Sequence, residues 1–297
     1  MLDFRSLTPQ DRELVHNNLY RAIGHGSEYS FANLFMWGDQ KVAFFEGAPV
    51  FFSRFGIWQS YLLPQDTDLR AAINALREDA HERNIPFRIF GLTAREVEQM
   101  SFLFPEEFRF RPQRNSFDYV YDIDRLAELK GKKLQAKRNH CNRFEANFPD
   151  YEILPLTEER LPLCRELTEK WYISHEESSP EIDYAGEKTA ISKAFDNFSA
   201  LHMEGIVLQT REGVVAFSMG NRIREDTFDV NFEKAIGEIQ GAYPMVNREF
   251  ARHIRDKHPE IRFLDREDDM GLEGLRKAKE SYYPDILLEK YVGEEVG

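Results

Sequence analysis

Short apolar runs and helically spaced apolar residues follow one another along this chain in an order that occurs twice. Leu69, Ile73, Leu76 and Ala80 recur every three or four positions, which predicts a helix over 66–83. Before it, 42–45 and 50–52 read as strands flanking Glu46-Gly-Ala-Pro49, a hairpin signal, and 58–63 as a third strand. After it come a strand at 87–90, a short helix at 94–102 and a strand at 117–121. The second half reads as a strand at 151–154, helices at 158–173 and 187–198, and a hairpin of 203–210 with 214–221. A strand at 227–232, a helix at 243–257, a strand at 261–264, a helix at 272–279 and a last strand at 286–291 complete it.

Residues 76–93 and 250–267 share an element order: a helix end, a polar break with a proline, a four-residue apolar strand and a polar turn. The pattern predicts two related α/β units, 1–128 and 149–297, joined by a basic helix at 129–148, with one irregular α/β domain as the alternative. The second unit is expected to carry the site and the first to act as a scaffold, since 87–90 leads into Gly91-Leu-Thr93 rather than into acids.

Thr227-Phe-Asp-Val-Asn-Phe-Glu233 alternates, so Asp229, Asn231 and Glu233 are expected on one face. A transfer reaction needs a base for the proton of the attacking group, and a carboxylate in a partly dry cleft gains proton affinity. Glu233, nearest the following loop, is the preferred base and Asp229 the second candidate. A solvated edge strand would carry the same letters. Gly241-Ala-Tyr243 opens the next helix. Amides of Gly241 and Ala242 could meet an anion, Tyr243 could donate a proton, and Asn247 lies one turn on along the same helix face. A tight turn into a helix is the competing reading, with Pro244 in the first turn.

The acid-dense run Asp265-Arg-Glu-Asp-Asp269 suits a cationic group, with Asp265 the binding candidate, and suits helix capping equally. It lacks the ligand spacing of a calcium loop, and no metal is expected. Arg276 and Lys279 could clamp a phosphate near Tyr282, or simply complement their helix C-terminus. The polar stretch 174–183 reads as a surface loop or lid.

Hydrophobic residues make up 42% and charged residues 31% of the 297, a soluble globular balance. The net charge of −13 repels nucleic acid and anionic surfaces overall. Against it stand Lys133, Lys137, Arg138 and Asn139 in the basic stretch 130–143, the one local footprint for an RNA backbone. Two cysteines form no disulfide framework. With no signal peptide at the N-terminus and no membrane-length apolar run, a cytoplasmic location is expected.

At Lys133, Lys137-Arg-Asn139, Gly241-Ala-Tyr-Pro-Met-Val-Asn247, Arg266-Glu-Asp-Asp-Met-Gly271 and Gly274-Leu-Arg-Lys-Ala-Lys-Glu-Ser-Tyr282, the chain resembles bacterial proteins related to the C-terminal domain of phosphatidylglycerol lysyltransferase. The resemblance implies two tandem GNAT-type (acyl-CoA N-acyltransferase) folds, each a mixed, mostly antiparallel sheet flanked by helices. It implies transfer of an amino acid or acyl group to an amine or hydroxyl of a small-molecule or lipid-derived acceptor. The co-substrate would be aminoacyl-tRNA or acyl-CoA, with no covalent cofactor. The stretch matching the acyl-CoA pyrophosphate loop, Gly237-Glu-Ile-Gln-Gly-Ala242, departs from the usual pattern, and Glu238 would repel phosphate. A non-catalytic small-molecule-binding member of the fold is the other reading.

Overall fold

The computed structural model describes residues 2–22, 24–179 and 181–296. Its strands are β1 (Arg5–Ser6), β2 (Asp39–Phe45), β3 (Ala48–Phe55), β4 (Trp58–Leu62), β5 (Arg88–Leu92), β6 (Phe108–Pro112), β7 (Asp118–Asp122), β8 (Glu152–Pro155), β9 (Glu204–Thr210), β10 (Gly213–Arg222), β11 (Thr227–Ala235), β12 (Phe263–Asp265), β13 (Ile286–Leu288) and β14 (Tyr291–Glu295). The α-helices are α1 (Arg12–Tyr20), α2 (Phe31–Met36), α3 (Leu69–Glu82), α4 (Ala94–Leu103), α5 (Ile123–Glu128), α6 (Gln135–Asn147), α7 (Leu161–Ser178), α8 (Ala185–Asp196), α9 (Ala242–Lys257) and α10 (Glu273–Glu280). Two compact units result. One takes residues 1–118, 268–272 and 287–297, and the other 119–267 and 273–286.

The first unit's sheet runs β1-β2-β3-β4-β5-β14-β6. All its pairings are antiparallel except β4 with β5, which pair in parallel at Tyr61 and Ile89. α3 explains the parallel step, because a crossover helix must return the chain to the same edge. Asp68 caps α3 by accepting from the Ala71 amide at 2.8 Å. Ile73, Leu76 and Ala80 of its apolar stripe pack against Tyr61, Phe87 and Ile89. Thr93 and Glu96 form a capping box at the start of α4.

The second sheet runs β13-β7-β12-β11-β10-β9-β8. β11 pairs antiparallel with β10 and parallel with β12, so it lies inside the sheet and not at an edge. α9 crosses over between the parallel strands and buries Met245, Val246, Phe250, Ala251 and Ile254 against Phe228, Val230 and Leu264. The tandem of mixed sheets flanked by helices matches the expected architecture. Residues 174–178 continue α7 rather than starting a loop, and Pro180 of that stretch lies outside the described residues. α6, the basic helix, buries Cys141 and Phe144 in the core of the second unit. Among the described residues no helix is long and apolar enough to cross a membrane.

Candidate active site in the second unit

Alternation along β11 breaks in mid-strand. Met219 pairs with Phe232, but Asn221 pairs with Asp229. Two residues of β11, Val230 and Asn231, therefore stand opposite Gly220 alone, which is a β-bulge. A Cβ on Gly220 would lie 1.8 Å from the Asp229 carbonyl oxygen, so only glycine fits there. The extra residue switches the faces. Phe228 and Val230 face α9 before the bulge, and Glu233 and Ala235 face it afterwards. Lys234 points the other way, to Glu187 on α8 and Trp171 on α7.

Three expectations change with this geometry. Asp229 and Asn231 do not share a face with Glu233: Asn231 Nδ2 donates to Asp229 Oδ2 at 2.9 Å and to Glu267 at 3.0 Å, while Glu233 turns to α9. The edge-strand alternative fails because neighbouring strands flank β11 on both sides. Asp265, at the end of β12, is buried and accepts from the Glu267 amide at 2.9 Å, which makes it a turn former.

Around Glu233 the polar groups converge. Arg266 Nη2 donates to Glu233 Oε1 at 3.0 Å, and Asn247 Nδ2 donates to Oε2 at 3.1 Å. The parallel ladder of β11 and β12 ends at Asp229 and Asp265, and Arg266 leaves β12 just where the strands separate. Its guanidinium lies 5.1 Å from the Tyr282 ring and 5.8 Å from the Tyr121 ring. Lys137 Nζ reaches the Tyr282 ring at 4.1 Å, and Lys133 the Tyr283 ring at 5.0 Å. Burial, then the like charge of Arg266, lowers the Lys137 pKa, while burial raises that of Tyr282. Arg266 Nη1 and Asn247 Oδ1 are buried and have no hydrogen-bond partner among the described residues. A native fold rarely leaves such groups unmatched, and a ligand is one way to match them.

Tyr243 stands one turn before Asn247. Its hydroxyl accepts from Trp171 Nε1 at 2.6 Å and from the Ala235 amide. Burial pushes its pKa up to about 12 in spite of these donors. The phenol keeps its proton at neutral pH, and with its oxygen engaged as an acceptor its remaining capacity is to donate. Trp171 also stacks on His175 at 3.6 Å and meets Lys234 Nζ at 3.4 Å. Lys234 binds Glu187 at 2.7 Å, and burial lowers its pKa against that pairing. Sequence reasoning missed Trp171, Lys234 and Arg266. For Arg266 the available signal was an arginine within an acidic run that needs a buried counter-ion. A cavity of about 400 Å³ opens between α7 and α8, lined by Tyr172, Ile173, Ile191, Phe195, Arg165 and Lys188 among others.

Other expected site residues serve the fold. The Ala242 amide donates to the Ile239 carbonyl at 3.1 Å. Gly241 has φ +90, and a Cβ there would lie 2.4 Å from the His140 carbonyl oxygen. This turn presses against α6 and does not offer an open anion cradle. Lys279 is buried and donates to the Arg266 carbonyl at 2.5 Å, so it does not form an outward clamp with half-buried Arg276. Arg138 donates to the Leu129 and Gly131 carbonyls and secures the end of α5, while Asn139 is exposed.

The first unit has a polar cluster of its own, contrary to the sequence reading. Lys290 Nζ lies 2.6 Å from Glu28 and 2.8 Å from Asp118. His25 Nδ1 lies 3.0 Å from the Gly91 carbonyl and Nε2 lies 3.3 Å from Glu96. Tyr29 Oη donates to the Leu63 carbonyl at 3.3 Å. Residues 25–29 thus tie together the chain just beyond β4 and the end of β5.

Two mixed sheets in tandem, each with a parallel pair bridged by a crossover helix, make a tandem GNAT-like fold. The chain belongs to the family described as phosphatidylglycerol lysyltransferase, C-terminal, which matches residues 21–293. It is similar over 100% of both chains to a conserved Bacteroides thetaiotaomicron protein of unknown function, with 36% identity and a TM-score of 0.93. L-PGS from Bacillus licheniformis shares the fold at 16% identity and a TM-score of 0.65, over 93% of this chain and 89% of that one. A tandem GNAT protein from the clavulanic acid biosynthesis pathway does so at 10% identity and a TM-score of 0.51, over 100% of this chain and 98% of that one. A Mycoplasmoides gallisepticum protein, MYCGA3080, is 24% identical over 187 residues; the match takes in 60% of this chain and 56% of that protein.

Proposed function

We propose that the second unit transfers an aminoacyl group from aminoacyl-tRNA to an amine or hydroxyl acceptor. The reading rests on Glu233 being held by Arg266 and Asn247 while a buried donor (Arg266 Nη1) and a buried acceptor (Asn247 Oδ1) are left over beside it. A carbonyl oxygen against Arg266 Nη1 gains stabilisation as charge develops on it, the main electrostatic need of acyl transfer. An acceptor amine or hydroxyl donates to Asn247 Oδ1 and is thereby aimed at the carbonyl carbon. The new bond forms there and the ester bond to the tRNA ribose breaks. The Tyr243 phenol delivers a proton to the departing ribose oxygen and regains one from the attacking group. Glu233 positions Arg266 and Asn247 rather than taking a proton, since both its oxygens already accept.

The donor choice follows from the turn at Gly241, where the Ala242 amide is already committed and the His140 carbonyl sits close, features that disfavour a pyrophosphate. Lys133 and Lys137, stacked on Tyr283 and Tyr282, supply the cations for an acceptor stem. The first unit acts as a scaffold, because its own residues 25–29 tie the ends of its parallel strands. Incubation with aminoacyl-tRNA carrying a labelled amino acid tests the proposal. Transfer abolished by ribonuclease and by Tyr243→Phe is expected. Transfer from acyl-CoA that ribonuclease leaves untouched would refute the donor, and no transfer from either would refute the enzyme.

A further inference from the structure

The first unit carries an apolar tip that the proposed reaction does not use. β3 and β4 are joined by the two-residue turn Gly56-Ile57, with Phe55 paired to Trp58 across its base. Gly56 has φ +58, which a tight hairpin turn of this kind requires, and a Cβ added to it would meet nothing within 4 Å. Ile57 is 90% exposed, Trp58 60% and Phe55 47%. A soluble surface scatters single apolar residues, but three large ones on one projecting turn need a reason.

The sheet face beside the tip supplies charge. Arg88 lies over the Trp58 ring at 4.8 Å and binds Glu294 at 2.6 Å. Glu294 stands directly across from both Arg88 and Arg109. Arg111, across from Val292, falls on the same face and binds Glu294 at 3.2 Å. Three arginines thus share one acid on this face, against an overall charge of −13. At the tip itself, Arg54 and Asp39 pair at 3.0 Å.

We infer that the Phe55–Trp58 hairpin is a wedge that inserts shallowly into an anionic lipid surface, with Arg88, Arg109 and Arg111 facing the headgroups. The three side chains expose roughly 400 Å², since an aromatic side chain presents ~150–250 Å² when uncovered. A stable protein interface takes ~800 Å² from each partner. The patch is therefore about half of what a second copy or a protein partner needs. Tryptophan beside arginine, at the end of an apolar projection, is the composition of groups that settle at a membrane–water boundary. This inference does not depend on the transfer reaction.

The test is co-sedimentation of the full chain with vesicles of equal parts phosphatidylserine and phosphatidylcholine, and with phosphatidylcholine alone. Phosphatidylserine keeps a phosphatidylglycerol acceptor in the other unit from being read by mistake. Binding to the mixed vesicles is expected, with a blue shift in tryptophan emission that Trp58→Phe removes. Ile57→Ser should lower the bound fraction on the order of tenfold, as loss of one large buried apolar side chain implies. Arg111→Gln should weaken binding to the mixed vesicles only. Ile57→Ser removes a side chain that packs on almost nothing, so its fold should survive, and circular dichroism checks this. Failure of the wild-type chain to sediment with either vesicle overturns the inference. So does binding that Ile57→Ser leaves unchanged, or a dimer that Ile57→Ser splits while no vesicle is bound.

Discussion

Replacing Gly220 by alanine tests the bulge on which the site depends. The added Cβ would lie 1.8 Å from the Asp229 carbonyl oxygen and 3.1 Å from the Val230 Cα. Both are backbone atoms of the adjacent strand, so no side-chain rotation relieves the clash. β10 and β11 must part, or the two-against-one pairing must be lost. Overpacking a core against movable side chains costs ~1–3 kcal/mol, and a backbone obstacle in a central strand belongs at the upper end, ~3 kcal/mol. For a unit of this size, one kcal/mol moves the melting temperature by about 2–4 °C, so a fall of ~6–12 °C is expected. Gly274→Ala is the control. That glycine lies in α10 with open space around it, and alanine there should add ~0.5–1 kcal/mol. Differential scanning calorimetry of the two variants beside the wild type decides the matter. If Gly220→Ala melts within about 2 °C of wild type, the bulge is not fixed by this contact, and the placement of Glu233 opposite Asp229 loses its physical basis.

Arg266→Met leaves Glu233 buried without its counter-ion and should cost ~3–5 kcal/mol, most of it recovered in the Arg266→Met, Glu233→Gln double variant; urea titration gives both numbers, and a single-variant loss under about 1 kcal/mol would contradict the pairing. Asp11 is held at about 2 by hydrogen bonds first from Arg5 and then from Thr8, below its ordinary 3.8. Its contribution is therefore complete above pH 3.8 and lost as pH falls through about 2, and Asp11→Asn should flatten acid unfolding across that window. Lys234 gives a slope of the same sign in the alkaline range: burial lowers its pKa from 10.5, so the unfolded chain holds the proton more tightly and stability should rise with pH up to that value. Lys234→Met should remove the rise, as read by thermal melts in alkaline buffers.

The duplicated order of elements was legible because it is written in local signals. Asp68 caps α3, Pro86 and Pro259 punctuate the helix-to-strand steps, and each period is carried by neighbouring residues. The bulge was not legible. One inserted residue changes no letter pattern, so strict alternation placed Glu233 with Asp229, and only a strand partner such as Gly220 shows otherwise. Glu233, Asn247 and Tyr243 could be singled out from the letters alone, since polar residues at a strand end and a helix start need no long-range knowledge. Arg266 and Lys137 took their places through contacts with Glu233 and Tyr282 that span 33 residues or arise from separate elements. The Glu28–Asp118–Lys290 cluster draws on residues from nearly the whole length of the chain, beyond the reach of any local window.

The two units answer the same structural problem in different ways. Each has a parallel pair whose ends must separate once the crossover helix takes the chain away. Separated strand ends expose backbone polar groups, and these require partners. In the first unit the chain provides the partners, with Tyr29 on the Leu63 carbonyl and His25 on the Gly91 carbonyl. Burial pushes the pKa of Glu96 up, but the hydrogen bond from His25 and the Thr93 cap outweigh it, so this acid stays charged and locks the arrangement. In the second unit one ion pair, Glu233 with Arg266, spans the parting, and a donor and an acceptor beside it stay unmatched within the protein. Saturation favours rigidity, whereas unmatched groups in a buried setting favour a bound polar molecule. One copy thus closes the parting of its strands with its own residues, while the other leaves Arg266 Nη1 and Asn247 Oδ1 unmatched beside its ion pair.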